Sequence, residues 1–186
     1  MFLGSVSRKT VLTSFCRAER ERCQHNSPIG DDDILVSFAV ASLFTNVPLN
    51  ETINILVNKA FASDWFNQTY DLNLQKDQPA RLLEIATTNQ LFQFNGRLYE
   101  QVDGVAMGSP LGPLMANVFM CHLEDKLTCN GLMPTLYKRY VDDTLAKMPS
   151  TDAAVDFLTT LNGLHPSLSF MMEFQHFNTS IELLFY

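Results

Sequence analysis

Positive charge is scarce in this chain. Its 186 residues carry 13 Lys and Arg against 20 Asp and Glu, a formal net charge of −7. Gripping phosphates takes Lys and Arg, so this balance disfavours a general nucleic-acid binder. The cations are also uneven: Arg8, Lys9, Arg17, Arg20 and Arg22 crowd the N-terminal end, and no Lys or Arg follows Lys147. Cysteine is sparse too. Cys16, Cys23, Cys121 and Cys129 form no C-x-x-C pair, and no His stands at zinc-finger spacing from them. That excludes a zinc finger and leaves reduced, mostly buried thiols as the expectation. No apolar run reaches the ~18 residues of a membrane span, so no membrane partner is expected. Met1 to Cys16 is interrupted by Arg8 and Lys9 and has no signal-peptide core, and nothing else reads as a targeting signal. Repeats and low-complexity tracts are lacking as well.

Apolar residues are plentiful: 46% of the chain is hydrophobic, with 14 Phe. A chain of this length and composition makes one domain, or one domain with a tail, around a sizeable core. Residues 1–30 stay unassigned apart from a short helix expected over Val11 to Cys23. Asp31-Asp32-Asp33 reads as a solvated entry to a buried strand, Ile34 to Val40. A turn through Ala41 to Leu49 follows, then a helix with Asn50 as N-cap. Its stripe is Ile53, Leu56, Val57, Ala60 and Phe61. Ser63 to Lys76 is a polar connection in which Trp65 and Phe66 pack locally. A second helix has Pro79 in its first turn and Leu82, Leu83, Ile85, Ala86 and Asn89 at helical spacing. Asn95-Gly96 between Leu91–Phe94 and Arg97–Gln101 is the strongest hairpin signal, a type I′ turn.

Asp103 to Pro113 is rich in glycine, at 104, 108 and 112, which lets the backbone approach another body closely. It feeds a helix with Leu114, Met115, Val118, Phe119 and Leu123 on its apolar positions. A Gly-rich turn before a helix can hold phosphate, but no Gly-Lys-Ser/Thr follows, so this is not a P-loop. Next come a loop over Thr128 to Pro134 and two short strands flanking Asp142-Asp143. Adjacent carboxylates at a hairpin tip repel each other unless a cation sits between them, and hard oxygen ligands suit Mg²⁺. Ser150-Thr151-Asp152 caps a helix through Leu161, which ends at Asn162 to Pro166. Ser167 to Phe174 and Ile181 to Tyr186 read as strands. The order mixes helices with paired strands without regular alternation. It predicts an α+β fold, an antiparallel sheet with helices on one face.

Three stretches stand in one order: Leu35 to Leu49, Asp103 to Asn117, and Tyr140-Val141-Asp142-Asp143. Together they resemble the palm of a reverse transcriptase, and most of all that of the Penelope-like retroelements. The likeness continues through Phe92 to Gln101 and Leu161 to Pro166 and covers residues 31–178. It implies RNA-directed DNA polymerase ancestry, with an RNA template, a DNA primer and a deoxynucleoside triphosphate as partners. It implies two Mg²⁺ ions (or Mn²⁺) on the palm sheet. Asp142 would be the main ligand, Asp143 its supporting neighbour, and the Val40 backbone carbonyl would face the triphosphate-bound metal. Phe44 matches the gate against a ribose 2′-hydroxyl. Met107, Gly108 and Ser109 match the turn against nucleotide and template.

Departures from the family matter equally. Ala39 stands where the family carries its first catalytic aspartate, and a methyl group binds no cation. Asp33 lies ~20 Å away along an extended strand and cannot stand in. Gly112 replaces the usual Ser. No cation after Lys147 supplies a general acid. The likeness therefore implies a palm over 31–186 that is truncated at its C-terminal end, with partial fingers and no thumb. Polymerisation is expected to be impaired. The alternative is a non-catalytic palm that binds nucleic acid or protein. The resemblance also implies an intracellular, nuclear setting.

Overall fold

Strand β1, Ile34–Val40, is the axis of the molecule. The computed structural model describes residues 33–63 and 65–174. The helix expected over Val11 to Cys23 and the strand over Ile181 to Tyr186 lie outside them. Along β1, Val36, Phe38 and Val40 are buried while Leu35, Ser37 and Ala39 stay partly open. Successive side chains point to opposite faces, so one face of the strand is covered and the other is not. The chain continues through α1 (Leu43–Asn46), α2 (Leu49–Ala60), α3 (Trp65–Tyr70) and α4 (Asp77–Thr87). Then come β2 (Gln90–Phe94), β3 (Arg97–Gln101), α5 (Gly112–Cys129), β4 (Tyr137–Tyr140), β5 (Asp143–Met148), α6 (Thr151–Gly163) and β6 (Phe170–Phe174).

Four strands form one antiparallel sheet in the order β4-β5-β1-β6, and β2-β3 form a separate ribbon. β1 is paired on both sides, which places its residues opposite β5 and β6 at once. The core lies on the covered face. Phe38 meets Phe157 of α6 edge to face, with centroids 5.4 Å apart, a favoured aromatic geometry. Helix α5 buries Met115, Ala116, Val118, Phe119, Met120, Leu123 and Leu127, too many for one stripe. A helix apolar nearly all round is an interior helix, and α5 packs against α1 and α2. The α+β class and the one-sided helical cover both hold.

Several local expectations shift. The first long helix starts at Leu49 with Pro48 as N-cap, and Thr52 Oγ1 donates to the Pro48 carbonyl at 2.8 Å; Asn50 is not the cap. The turn and the connection each hold a short helix, α1 and α3. Phe66 packs locally as expected, against Phe61 and Tyr70 at 5.6 and 5.3 Å. Ser150 does cap α6, accepting from the Ala153 amide at 3.2 Å. Asn95 and Gly96 both take positive φ, 49° and 74°, as a type I′ turn requires. Strand β6 begins three residues later than expected, because Asn162 grips Phe170 by both its N–H and its carbonyl. Among the described residues the thiols divide: Cys121 is buried as expected but disulfide-bonded, and Cys129 is free as expected but exposed. No helix among the described residues is long and apolar enough to cross a membrane.

Candidate active site

The Asp-Asp pair sits on a two-residue turn. Tyr140 pairs with Asp143, so Val141 and Asp142 alone cross from β4 to β5. Val141 takes φ 58°. A β-branched residue there crowds its Cβ against its own carbonyl, at a cost of roughly 1–2 kcal/mol. Strain of this kind persists only where the surroundings over-determine it.

Those surroundings are specific. The Val40 amide donates to the Asp142 carbonyl at 3.0 Å. From the other side, Arg139 Nη1 donates to the Val141 carbonyl at 3.1 Å. Arg139 Nε donates to Glu124 Oε1 of α5 at 2.6 Å, and both side chains are only 4% exposed. Arg139 Nη2 reaches Asn117 Oδ1 at 2.9 Å and Cys121 Sγ at 3.6 Å. Tyr137 lies beside this pair. Burial first, and the Glu124 carboxylate second, push its hydroxyl well above the ordinary tyrosine value, so it stays a neutral phenol.

Ala39 pairs with Asp143 across β1 and β5 and with Met171 across β1 and β6. Directly opposed residues carry their Cβ atoms about 4.5–5.5 Å apart on one face. Position 39 and Asp143 therefore share the open face of the sheet, and position 39 presents only a methyl group. Asp33 is held at the far end of β1, in an ion pair with Lys147 at 3.0 Å. It is not brought to the turn. No cluster of three or more His, Cys, Asp or Glu able to hold a metal ion forms among the described residues. Asp142 and Asp143 are two carboxylates where a two-metal centre needs more, so the donor set does not fit such a centre.

The glycine-rich loop docks on the same strand end. The Val105 amide donates to the Phe44 carbonyl at 2.7 Å. Gly104 takes φ 68°, and a Cβ there would meet the Phe44 oxygen and the Thr45 backbone at 2.4–2.5 Å. Only glycine fits this approach. A Cβ on Gly112 would lie 3.5 Å from the Phe44 ring, so the ring rests on the start of α5. Ser109 closes the loop through its amide to the Ala106 carbonyl and its carbonyl to the Gly112 amide, each 3.0 Å. Gln90 Oε1 accepts from the Ala106 amide at 2.9 Å and ties the loop to β2. Met107 is 74% exposed, and Gly108, at φ 92°, has open space around it. Phe44, Met107, Gly108 and Ser109 thus belong to one loop-and-helix unit beside the turn, with Met107 and Gly108 at its free tip.

Sequence reasoning missed the Arg139–Glu124–Asn117 cluster. One signal was available: Glu124 interrupts an apolar helix, and a carboxylate inside such a surface calls for a cationic partner.

No family model matches the chain. Over 87 residues it is 31% identical to telomerase reverse transcriptase of Mus musculus, and equally so to that of Rattus norvegicus. Each match takes in 47% of this chain and 8% of the relative. Telomerase from Candida albicans, solved in complex with a TWJ fragment of telomeric RNA, superposes at a TM-score of 0.59 and 13% identity. That alignment covers 94% of this chain and 31% of the Candida albicans chain. Apo telomerase from Candida tropicalis, truncated from its C-terminal domain, gives 0.58 at 14% identity, over 94% of this chain and 36% of its own. The fold is reverse-transcriptase-like. In this reverse-transcriptase-like domain the Asp-Asp turn, the Ala39 position and the glycine-rich loop converge at one end of the sheet. The chain spans about a third of the solved chains it resembles.

Proposed function

We propose that the chain is a reverse-transcriptase palm of the Penelope-like kind. Its ancestral reaction is RNA-templated deoxynucleotidyl transfer, and as it stands that reaction is crippled. The observation that carries this reading is the register that sets Ala39 opposite Asp143, beside a strained Asp-Asp turn. Asp142 is the main acidic group and Asp143 its neighbour. The Val40 carbonyl completes the set, and Phe44 with Met107, Gly108 and Ser109 lies against the incoming nucleotide. The retroelement origin rests on the ordered motifs from Leu35 to Pro166. An RNA template is in keeping with the telomeric RNA fragment held by the Candida albicans relative. The DNA primer, the triphosphate and a nuclear setting are proposed on the family likeness.

The family likeness implies Mg²⁺ or Mn²⁺ at the turn; without a carboxylate at position 39, Asp142 and Asp143 alone hold such an ion only weakly and do not make a two-metal centre. Loss of one preorganised charge-stabilising group costs on the order of a hundred- to a thousandfold in rate. Primer extension on an RNA template, comparing this chain with Ala39→Asp, is the test. Extension by Ala39→Asp alone is expected, and Asp142→Asn on top of it abolishes the signal. Extension by the Ala39 chain itself, lost with Asp142→Asn, would refute the impairment. Extension by neither, with both folded, favours the second reading, a non-catalytic palm. That reading draws on the missing carboxylate, and salt-dependent binding of RNA or DNA without incorporation is its signature.

A further inference from the structure

We propose that Arg139 is a positioning residue for the Asp142–Asp143 turn, and that helix α5 sets the turn through it. The inference deepens the palm reading and rests on Asp142 and Asp143 being its functional pair. Three observations converge. The Arg139 guanidinium is buried, not a surface cation, and its Nε is fixed to Glu124 at 2.6 Å. Its Nη2 is fixed to Asn117 at 2.9 Å, two helical turns earlier on α5. Its remaining arm, Nη1, holds the carbonyl of Val141, the one residue of the turn in the left-handed region.

A planar guanidinium offers donors in fixed directions. With two arms anchored to one rigid helix, the third is aimed at one point in space. The strained Val141 peptide is held there, and the orientation of both following carboxylates comes with it. Lysine satisfies Glu124 as a point charge but has no fork to reach Asn117 and Val141 together. The same helix begins at Gly112, under the Phe44 ring. One rigid element therefore connects the nucleotide-side loop to the Asp-Asp turn.

The experiment uses the whole chain with Ala39→Asp, alone and with Arg139→Lys. NMR scalar couplings and carbon shifts report the Val141 φ, Mn²⁺ broadening of the Asp142 and Asp143 amides reports cation binding, and thermal unfolding reports global stability. Arg139→Lys is expected to unfold cooperatively, to release Val141 from positive φ, and to need about tenfold more Mn²⁺, the usual scale for losing a partner behind a ligand. Asn117→Ala, which leaves the ion pair intact, shifts the same signals by less and serves if Arg139→Lys does not fold. Val141 keeping its positive φ in the folded variants overturns the proposal. Val141 releasing while no protein broadens with Mn²⁺ supports the positioning role and sinks the metal-bearing reading instead.

Discussion

Two hairpins in this chain turn on two residues each, and they sit in opposite circumstances. β2–β3 turns on Asn95-Gly96 and β4–β5 on Val141-Asp142. Asn and Gly take positive φ at little cost, and β2–β3 needs nothing else to form its turn. It stands as a lone ribbon with every residue from Leu91 to Glu100 exposed, Phe94 at 69% and Leu98 at 71%. Helix α4 next to it leaves Ile85 67% exposed. Valine is a poor turn residue, and β4–β5 turns there because a buried ion pair, a neighbouring strand and a helix hold it. Local chemistry alone builds the first hairpin, and tertiary structure compels the second. Where structure compels strain, function is the usual beneficiary.

The sharpest way to break this contrast is to remove the packing behind the second hairpin. Phe38→Ala, a fully buried ring facing Phe157, should cost about 3–5 kcal/mol, seen as a lower urea midpoint; a loss under about 1 would mean the sheet does not depend on that core. Gly104→Ala follows at about 3 kcal/mol, because overpacking against fixed backbone adds to a strained φ. It should leave the Phe44–Val105 hydrogen bond unprotected in hydrogen exchange. Ala39→Asp sets like charges opposite one another, so without divalent cation it should lower stability by about 0.2–1 kcal/mol. Added Mn²⁺ should restore it, and calorimetry with and without the ion checks the sign.

His122 sharpens the contrast through pH. Burial first, then Lys126 and Lys59, lower its pKa below the ordinary 6.5, while Glu51 and Asp125 oppose this. The unfolded chain then binds the proton more readily, so the contribution is present above pH ~6.5 and is lost as pH falls below it. His122→Gln should flatten the fall in urea midpoint between about pH 7.5 and 5.5. Smallest of all, Phe94→Ser on the exposed ribbon should change stability by less than about 0.5 kcal/mol, as read from the same denaturant curves. A larger loss would mean that the ribbon's face is covered in solution.

How much could be read in advance follows the same division. Asn95-Gly96, the Ser150 cap and the extent of β1 are local signals, and they were legible; β1 reads as buried throughout, and only the structure shows that Leu35, Ser37 and Ala39 stay partly open. Ordered motifs also name Ala39, Phe44, Met107 to Ser109 and Asp142-Asp143 as candidates without any knowledge of contacts, and the strand register then sets Ala39 opposite Asp143. Helix α4 shows the limit: Leu82 and Ile85 have helical spacing, but periodicity does not say whether a partner covers them. Arg139 shows another. Next to Lys138 it reads as one more surface cation, and only the approach of Glu124 and Asn117, far away in sequence, takes it out of water.

Gly104 brings backbone against backbone, with no side chain in between. The joint it makes is blind to side-chain identity on either side, so neighbours such as Val102 and Met107 are at liberty to change without moving the loop. The tip then decides which molecule is touched, and the joint beneath it decides where the tip is held. A single hydrogen atom at position 104 separates the two.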